Sequence, residues 1–160
     1  MQKITPCLWF DGQAAEAAKF YVSIFKKGKI VSIARYTAAG PAPAGTVMTV
    51  EFQLFGQEFV ALNGGPHCKF NEAVSFVVNC KTQREVDCYC RTLTAGGGEP
   101  SMCGWLKDKY GVSWQIVPTA LMELVTSKDR AKTTRVMQAM LQMTKIDLKK
   151  LKQAAAKPRK

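Results

Sequence analysis

Apolar positions change their period along the chain, and each change predicts an element. Ile4 to Phe10 is a short run rich in strand formers, ended by the turn dipeptide Asp11-Gly12. From Ala14 to Phe25 the residues Ala14, Ala17, Ala18, Tyr21, Ile24 and Phe25 fall three and four apart, the spacing of one helix face. Lys29 to Tyr36 returns to strand character, and a proline- and glycine-rich loop, Thr37 to Gly45, follows it. Thr46 to Leu54 and Gln57 to Leu62 then read as a hairpin around Phe55-Gly56, closed by Gly64-Gly65-Pro66.

The order then repeats. Val74 to Val78 reads as a strand and Thr82 to Leu93 as a helix, with Thr82 and Glu85 spaced as a capping box. Gly96-Gly97-Gly98 breaks the chain, and Ser101 to Leu106 and Val112 to Val117 read as strands. Phe10 and Tyr21 are as far apart as Val78 and Tyr89, so the opening strand and helix of each half superpose at an offset of 68, whereas the turn glycines Gly56 and Gly111 are offset by 55. The loop after Tyr36 accounts for the difference. The pattern predicts an α+β fold: two βαβββ modules, at about residues 3–66 and 72–118, forming a cupped mixed sheet in a domain spanning 1–125. Beyond Pro118 the period turns helical, at Thr119 to Val125, at Lys128 to Met143 and in a last segment carrying Ile146, Leu148 and Leu151, so residues 126–160 read as a basic C-terminal helical extension. Its stripe of Val136, Met137, Met140, Leu141 and Met143 is expected to pack on the body or on a second subunit.

Composition narrows the class. A chain of 160 residues, 47% of them hydrophobic, can build one substantial core. No window comes near the roughly 18 apolar residues of a membrane span, and Met1-Gln2-Lys3-Ile4 lacks the apolar core of a signal peptide. A cytoplasmic protein with no membrane partner is expected. The six cysteines are then expected to be reduced structural thiols. Cys88-Tyr89-Cys90 and His67-Cys68 contain metal-ligand types, but Cys-x-Cys on a helix points its thiols about 200° apart, and no CxxC pair completes a tetrahedral cage. The net charge of +11 is concentrated: from Thr126 onward eleven basic residues stand against two acidic ones, and the rest of the chain is nearly neutral. Charge so placed reads as a solvated helix face, and a nucleic-acid partner is not expected.

The segments FDGQAAEAAKFYVSIF, ALNGGP, FNEAVSFVVNC and GGGEPSMCGWLKDKYGVSWQIVP, in this duplicated order, resemble the vicinal oxygen chelate superfamily, the glyoxalase and bleomycin-resistance fold. Within it the likeness is to the PhnB-like branch, often labelled demethylubiquinone methyltransferase, and it covers residues 3 to 145. The resemblance implies a concave sheet wall enclosing a small molecule, a homodimer, and a divalent metal held by His, Glu or Gln on inward strand positions of both modules. Those positions fall on Pro6, on Ala73 or Val74, on Val60 and on Gln115, and of these only Gln115 can ligate. His67, the sole histidine, lies with Asn63, Glu58 and Glu72 near the rim and reads as solvated. No metal and no cofactor is therefore expected. The glycine-rich turn and parallel crossovers of a methyl-donor fold are not seen either: Gly96-Gly97-Gly98 follows a helix and reads as its stop. The expectation is a small-molecule site lined by Ser75, Ser113 and Gln115 as polar anchors, with Asn63, Trp105 and Trp114 as amide and aromatic surfaces. The alternative is a metal-dependent lyase or dioxygenase, which needs ligands this sequence does not place.

Overall fold

Cys7–Phe10 (β1) leads into the helix Ala14–Ile24 (α1) and then to Lys29–Arg35 (β2), Val47–Leu54 (β3) and Gln57–Asn63 (β4). In this computed structural model, which describes residues 2–156, the four strands make one mixed sheet in the order β1-β4-β3-β2. Lys157, Arg159 and Lys160 of the basic tail lie outside the described residues. Strand β1 runs parallel to β4, and the β3 pairings are antiparallel. One face of this sheet is covered by α1, whose Ala14, Ala17 and Ala18 have no exposed surface and let the helix lie close. Beneath it Tyr21 stacks on Phe52 at 6.0 Å between ring centroids, and Phe52 on Phe59 at 5.2 Å. The hairpin turn takes positive φ at both central residues, Phe55 (51°) and Gly56 (85°), as a two-residue loop matched to strand twist requires.

The second unit begins after Phe70. It contains Phe76–Cys80 (β5), Gln83–Leu93 (α2), Glu99–Pro100 (β6), Trp105–Lys107 (β7) and Ser113–Pro118 (β8), with sheet order β5-β8-β7-β6. Again the first strand is parallel to the last and the rest are antiparallel. The capping box is present: the Glu85 amide donates to Thr82 Oγ1 at 3.2 Å, and Glu85 Oε2 accepts from the Thr82 amide at 3.2 Å. Helix α2 covers one face, burying Val86, Tyr89 and Leu93.

The two modules agree in topology and differ in detail from the sequence expectation. Ser101 to Leu106 is not one strand: a 3-10 turn at Met102–Gly104 separates β6 from β7. Cys7 pairs with Val60 and Val77 with Gln115, so with hairpins 55 apart the first strands superpose at 70 rather than 68. The buried tyrosines Tyr21 and Tyr89 keep the offset of 68. The turn from first strand to helix is thus two residues shorter in the second module, and the matching Phe10 and Val78 spacing conceals it.

Helices Thr119–Val125 (α3), Arg130–Leu141 (α4) and Leu148–Ala155 (α5) belong to the second unit. Leu121, Val136, Met143, Ile146 and Leu151 form their shared core, with Val117 of β8 packed against it. The predicted stripe divides accordingly: Val136 and Met143 are buried, while Met137 and Leu141 are about half exposed at 45% and 50%. Gln83 of α2 ties this segment down twice, its Nε2 donating to Ile146 O at 3.0 Å and its Oε1 accepting from the Leu148 amide at 2.9 Å. Lys145 adds an ion pair to Asp87 at 2.6 Å.

Candidate functional site

Strand alternation leaves each sheet with a face its helix does not cover. In the second module Trp114 and Ile116 point toward α2, so Ser113, Gln115 and Val117 share the other face, which the C-terminal helices cover at Val117. Register carries that face across the sheet: Trp105 lies opposite Gln115, Lys107 opposite Ser113 and Glu99 opposite Lys107. Val77, opposite Gln115 on the other side, is 51% exposed there.

A cavity of about 620 Å³ opens on this face, within the range of roughly 300–1,000 Å³ that suits small organic ligands. Trp105, Lys107 and Ser113 line it from the strands, Ser101, Met102 and Cys103 from the turn between β6 and β7, and Leu141 from α4. Its apolar lining thus combines the Trp105 indole with Pro100, Met102, Leu106 and Leu141, beside the Cys103 thiol. Ser113 is 2% exposed, and its hydroxyl donates to Asn71 O at 3.4 Å. Glu72, from the loop before β5, forms an ion pair with Lys107 at the edge of the cavity, and the ammonium bonded to it holds the Glu72 carboxyl below the usual carboxylate range. Beside the cavity, Gln115 Nε2 donates to Ser75 Oγ at 2.9 Å.

Four of the six sequence candidates, Ser75, Trp105, Ser113 and Gln115, therefore gather on one face. The other two do not join them. Trp114 is 3% exposed on the helix side, where its Nε1 donates to Asp108 Oδ2 at 2.8 Å and its ring meets Phe76. Asn63 is in the first module and serves as a brace: Oδ1 accepts from the Ala14 amide at 2.8 Å, Nδ2 donates to Val47 O at 3.0 Å, and its carbonyl accepts from Tyr36 Oη at 2.8 Å. Strand period alone could have found Lys107, two residues from Trp105 on the same face. Leu141 and Cys103 had no such signal, because a helix more than thirty residues away and an irregular turn bring them in.

The positions inherited from the superfamily do not make a donor set. In the first module the open-face residue beside Val60 is Cys7; Pro6 has the opposite parity. In the second, Ala73 and Val74 precede β5, Val77 faces Gln115, and the Gln115 amide is engaged with Ser75. Among the described residues no three His, Cys, Asp or Glu side chains are grouped to hold a metal ion. His67 is exposed and gathers no such group.

With this geometry in place, comparison with known proteins gives a consistent picture. The family model described as 3-demethylubiquinone-9 3-methyltransferase matches residues 2–117. A solved PhnB protein from Bacillus cereus is 41% identical, over 74% of this chain and 100% of its own, with a TM-score of 0.65. Protein PA1353 from Pseudomonas aeruginosa is 20% identical, over 74% of this chain and 98% of its own, with a TM-score of 0.60, a likeness of fold. No curated protein matches the sequence.

Proposed function

Because the chain belongs to the 3-demethylubiquinone-9 3-methyltransferase family, in the PhnB-like branch of the vicinal oxygen chelate fold, we propose that it binds a small organic molecule in the cavity on the second sheet, without the superfamily's metal centre. The observation that carries this reading is the convergence of Trp105, Ser113, Lys107 and Leu141 on one cavity of about 620 Å³. Such a lining suits an amphipathic ligand: an apolar or aromatic body against Trp105 and Leu141, and a polar end at Ser113 and the Glu72–Lys107 pair. The metal-free part rests on Val60 and Val77, which carry no donor, and on a single thiol, Cys7, and the Ser75-bonded amide of Gln115 as the other side chains at these positions, with no carboxylate or imidazole among them.

Methyl transfer is outside the proposal despite the family description. The strand orders β1-β4-β3-β2 and β5-β8-β7-β6 contain one parallel pair each, and no stack of parallel crossovers places a glycine-rich turn against a methyl donor. The six free cysteines support a reducing, cytoplasmic location. The exposed edge strand β2, with Val31 51% and Ile33 44% exposed, supports association with a second copy.

The test is a thermal-shift screen of tag-free protein against metabolites, S-adenosylmethionine and divalent metals, joined to metal analysis. A metabolite at one hundred times its Kd is expected to add about 2.7 kcal/mol of stability, and Trp105→Ala to abolish the shift. Stoichiometric manganese, zinc or nickel in the purified protein would overturn the metal-free reading, and stabilisation by S-adenosylmethionine alone would restore methyl transfer.

A further inference from the structure

The family match stops at residue 117, yet the chain continues through three helices that pack on the second module. We propose that this C-terminal segment is a specificity element: it builds one wall of the cavity on the second sheet and sets the size of the molecule admitted there. The inference rests on the small-molecule reading above.

Two sets of contacts carry it. Leu141, the last residue of α4, lines the cavity directly, with half its surface open. The chain around it also holds the adjoining rim. Cys103 N donates to Met143 O and Gly104 N to Thr144 O, both at 2.7 Å, and Cys103 Sγ lies 3.7 Å from Met140 O. That turn supplies Met102 and Cys103 to the lining. Its backbone is strained: Cys103 takes φ of 58°, a left-handed value uncommon for a residue with a side chain, and Gly104 follows at 84°. Glycine is required there because a Cβ would sit 2.8 Å from Ile116 O and 3.0 Å from Ile146 Cγ1. The turn is thus wedged between β8 and the C-terminal segment, and its conformation follows from where that segment docks.

The segment is itself firmly placed. Ile146 and Leu151 have no exposed surface, Gln83 bonds the chain on both sides of Asp147, and Lys145 pairs with Asp87. A side chain at 141 therefore projects into the cavity from fixed backbone. Lengthening it must shrink the space, because neither the helix nor the rim can retreat without breaking these contacts.

The experiment uses 1-anilinonaphthalene-8-sulfonate as the probe, titrated by its own fluorescence into the full chain and three variants. Leu141→Trp fills the cavity from the C-terminal wall, and Ser101→Trp fills it from the part of the chain the family shares. Met137→Trp adds the same bulk one turn back on α4, outside the cavity. All three positions are exposed, so the fold tolerates the exchange. The expected result is binding weakened at least about tenfold by L141W and by S101W, equivalent to about 1.4 kcal/mol, and unchanged by M137W. Weakening by S101W with none from L141W would overturn the wall while leaving the site in place. No effect from either would overturn the site and the wall together. Equal weakening by M137W would show that bulk anywhere on α4 suffices, and would overturn the proposal.

Discussion

Trp114 donates from Nε1 to Asp108 Oδ2 at 2.8 Å, and the carboxylate that receives it is 3% exposed. The same carboxylate accepts from the amides of Tyr110 at 2.9 Å and Val112 at 3.1 Å through Oδ1. One buried side chain thus sets the turn between β7 and β8 and anchors the indole on the helix side of the sheet. Asp108→Ala removes the acceptor of all three bonds and is expected to cost about 3 kcal/mol. Asp108→Asn, which keeps one oxygen, is expected to cost less. Urea unfolding followed by tryptophan fluorescence measures both, and an alanine variant as stable as the parent would remove this role.

Gly64 faces an equally tight neighbour. A Cβ there would fall 2.2 Å from Trp9 Cζ2, and Trp9 also donates from Nε1 to Gly65 O at 2.8 Å. Gly64→Ala must push the indole off its seat, and overpacking of this kind costs about 1–3 kcal/mol. The expected readout is a lower thermal midpoint together with a red-shifted emission that Trp9→Phe removes.

The thiols divide by burial. Burial, with smaller contributions from Glu85 and Cys90, pushes Cys80 up to about 12, and burial pushes Cys90 up to about 11. At about pH 8 both stay protonated, so a thiol reagent is expected to modify exposed Cys68 in the native protein and to spare Cys80 and Cys90. Unfolding returns these thiols to about 8.5, so above that pH the unfolded chain releases protons that the folded chain keeps, and stability falls as pH rises toward 11. Native-state labelling of Cys80 at the rate of Cys68 would contradict the burial.

Self-association is the fourth expectation. Light scattering at micromolar concentration is expected to give twice the single-chain mass of 17.7 kDa. Val31→Lys and Ile33→Lys on the exposed β2 edge are expected to restore the single mass by placing charge on an unpaired strand edge. A monomer at all concentrations would remove the dimer.

The repeat was readable because it depends on local patterning. Tyr21 and Tyr89 mark the buried helix faces, Phe55-Gly56 marks a hairpin, and Thr82 with Glu85 marks a helix start, each through residues a few positions apart. The candidate site was readable in part for the same reason. Ser113 and Gln115 are two apart on one strand, so finding one face finds both, and Trp105 follows from pairing with Gln115. Trp114 and Asn63 lie away from that face because parity and hydrogen-bond commitment decide whether a polar or aromatic residue turns to an open surface or into the fold. An indole or amide looks the same in sequence either way.

Local chemistry, then, determined the order of elements and their duplication, since turn residues, capping spacings and apolar periods act over short stretches of chain. Only the tertiary structure decided which face each strand turned outward, and that a helix ending at Leu141 lines the same cavity as Trp105 and Ser113. Those outcomes depend on long-range packing, where the docking of α3–α5 on the second module, through Ile146 and Gln83, places residues far apart in the chain against one another.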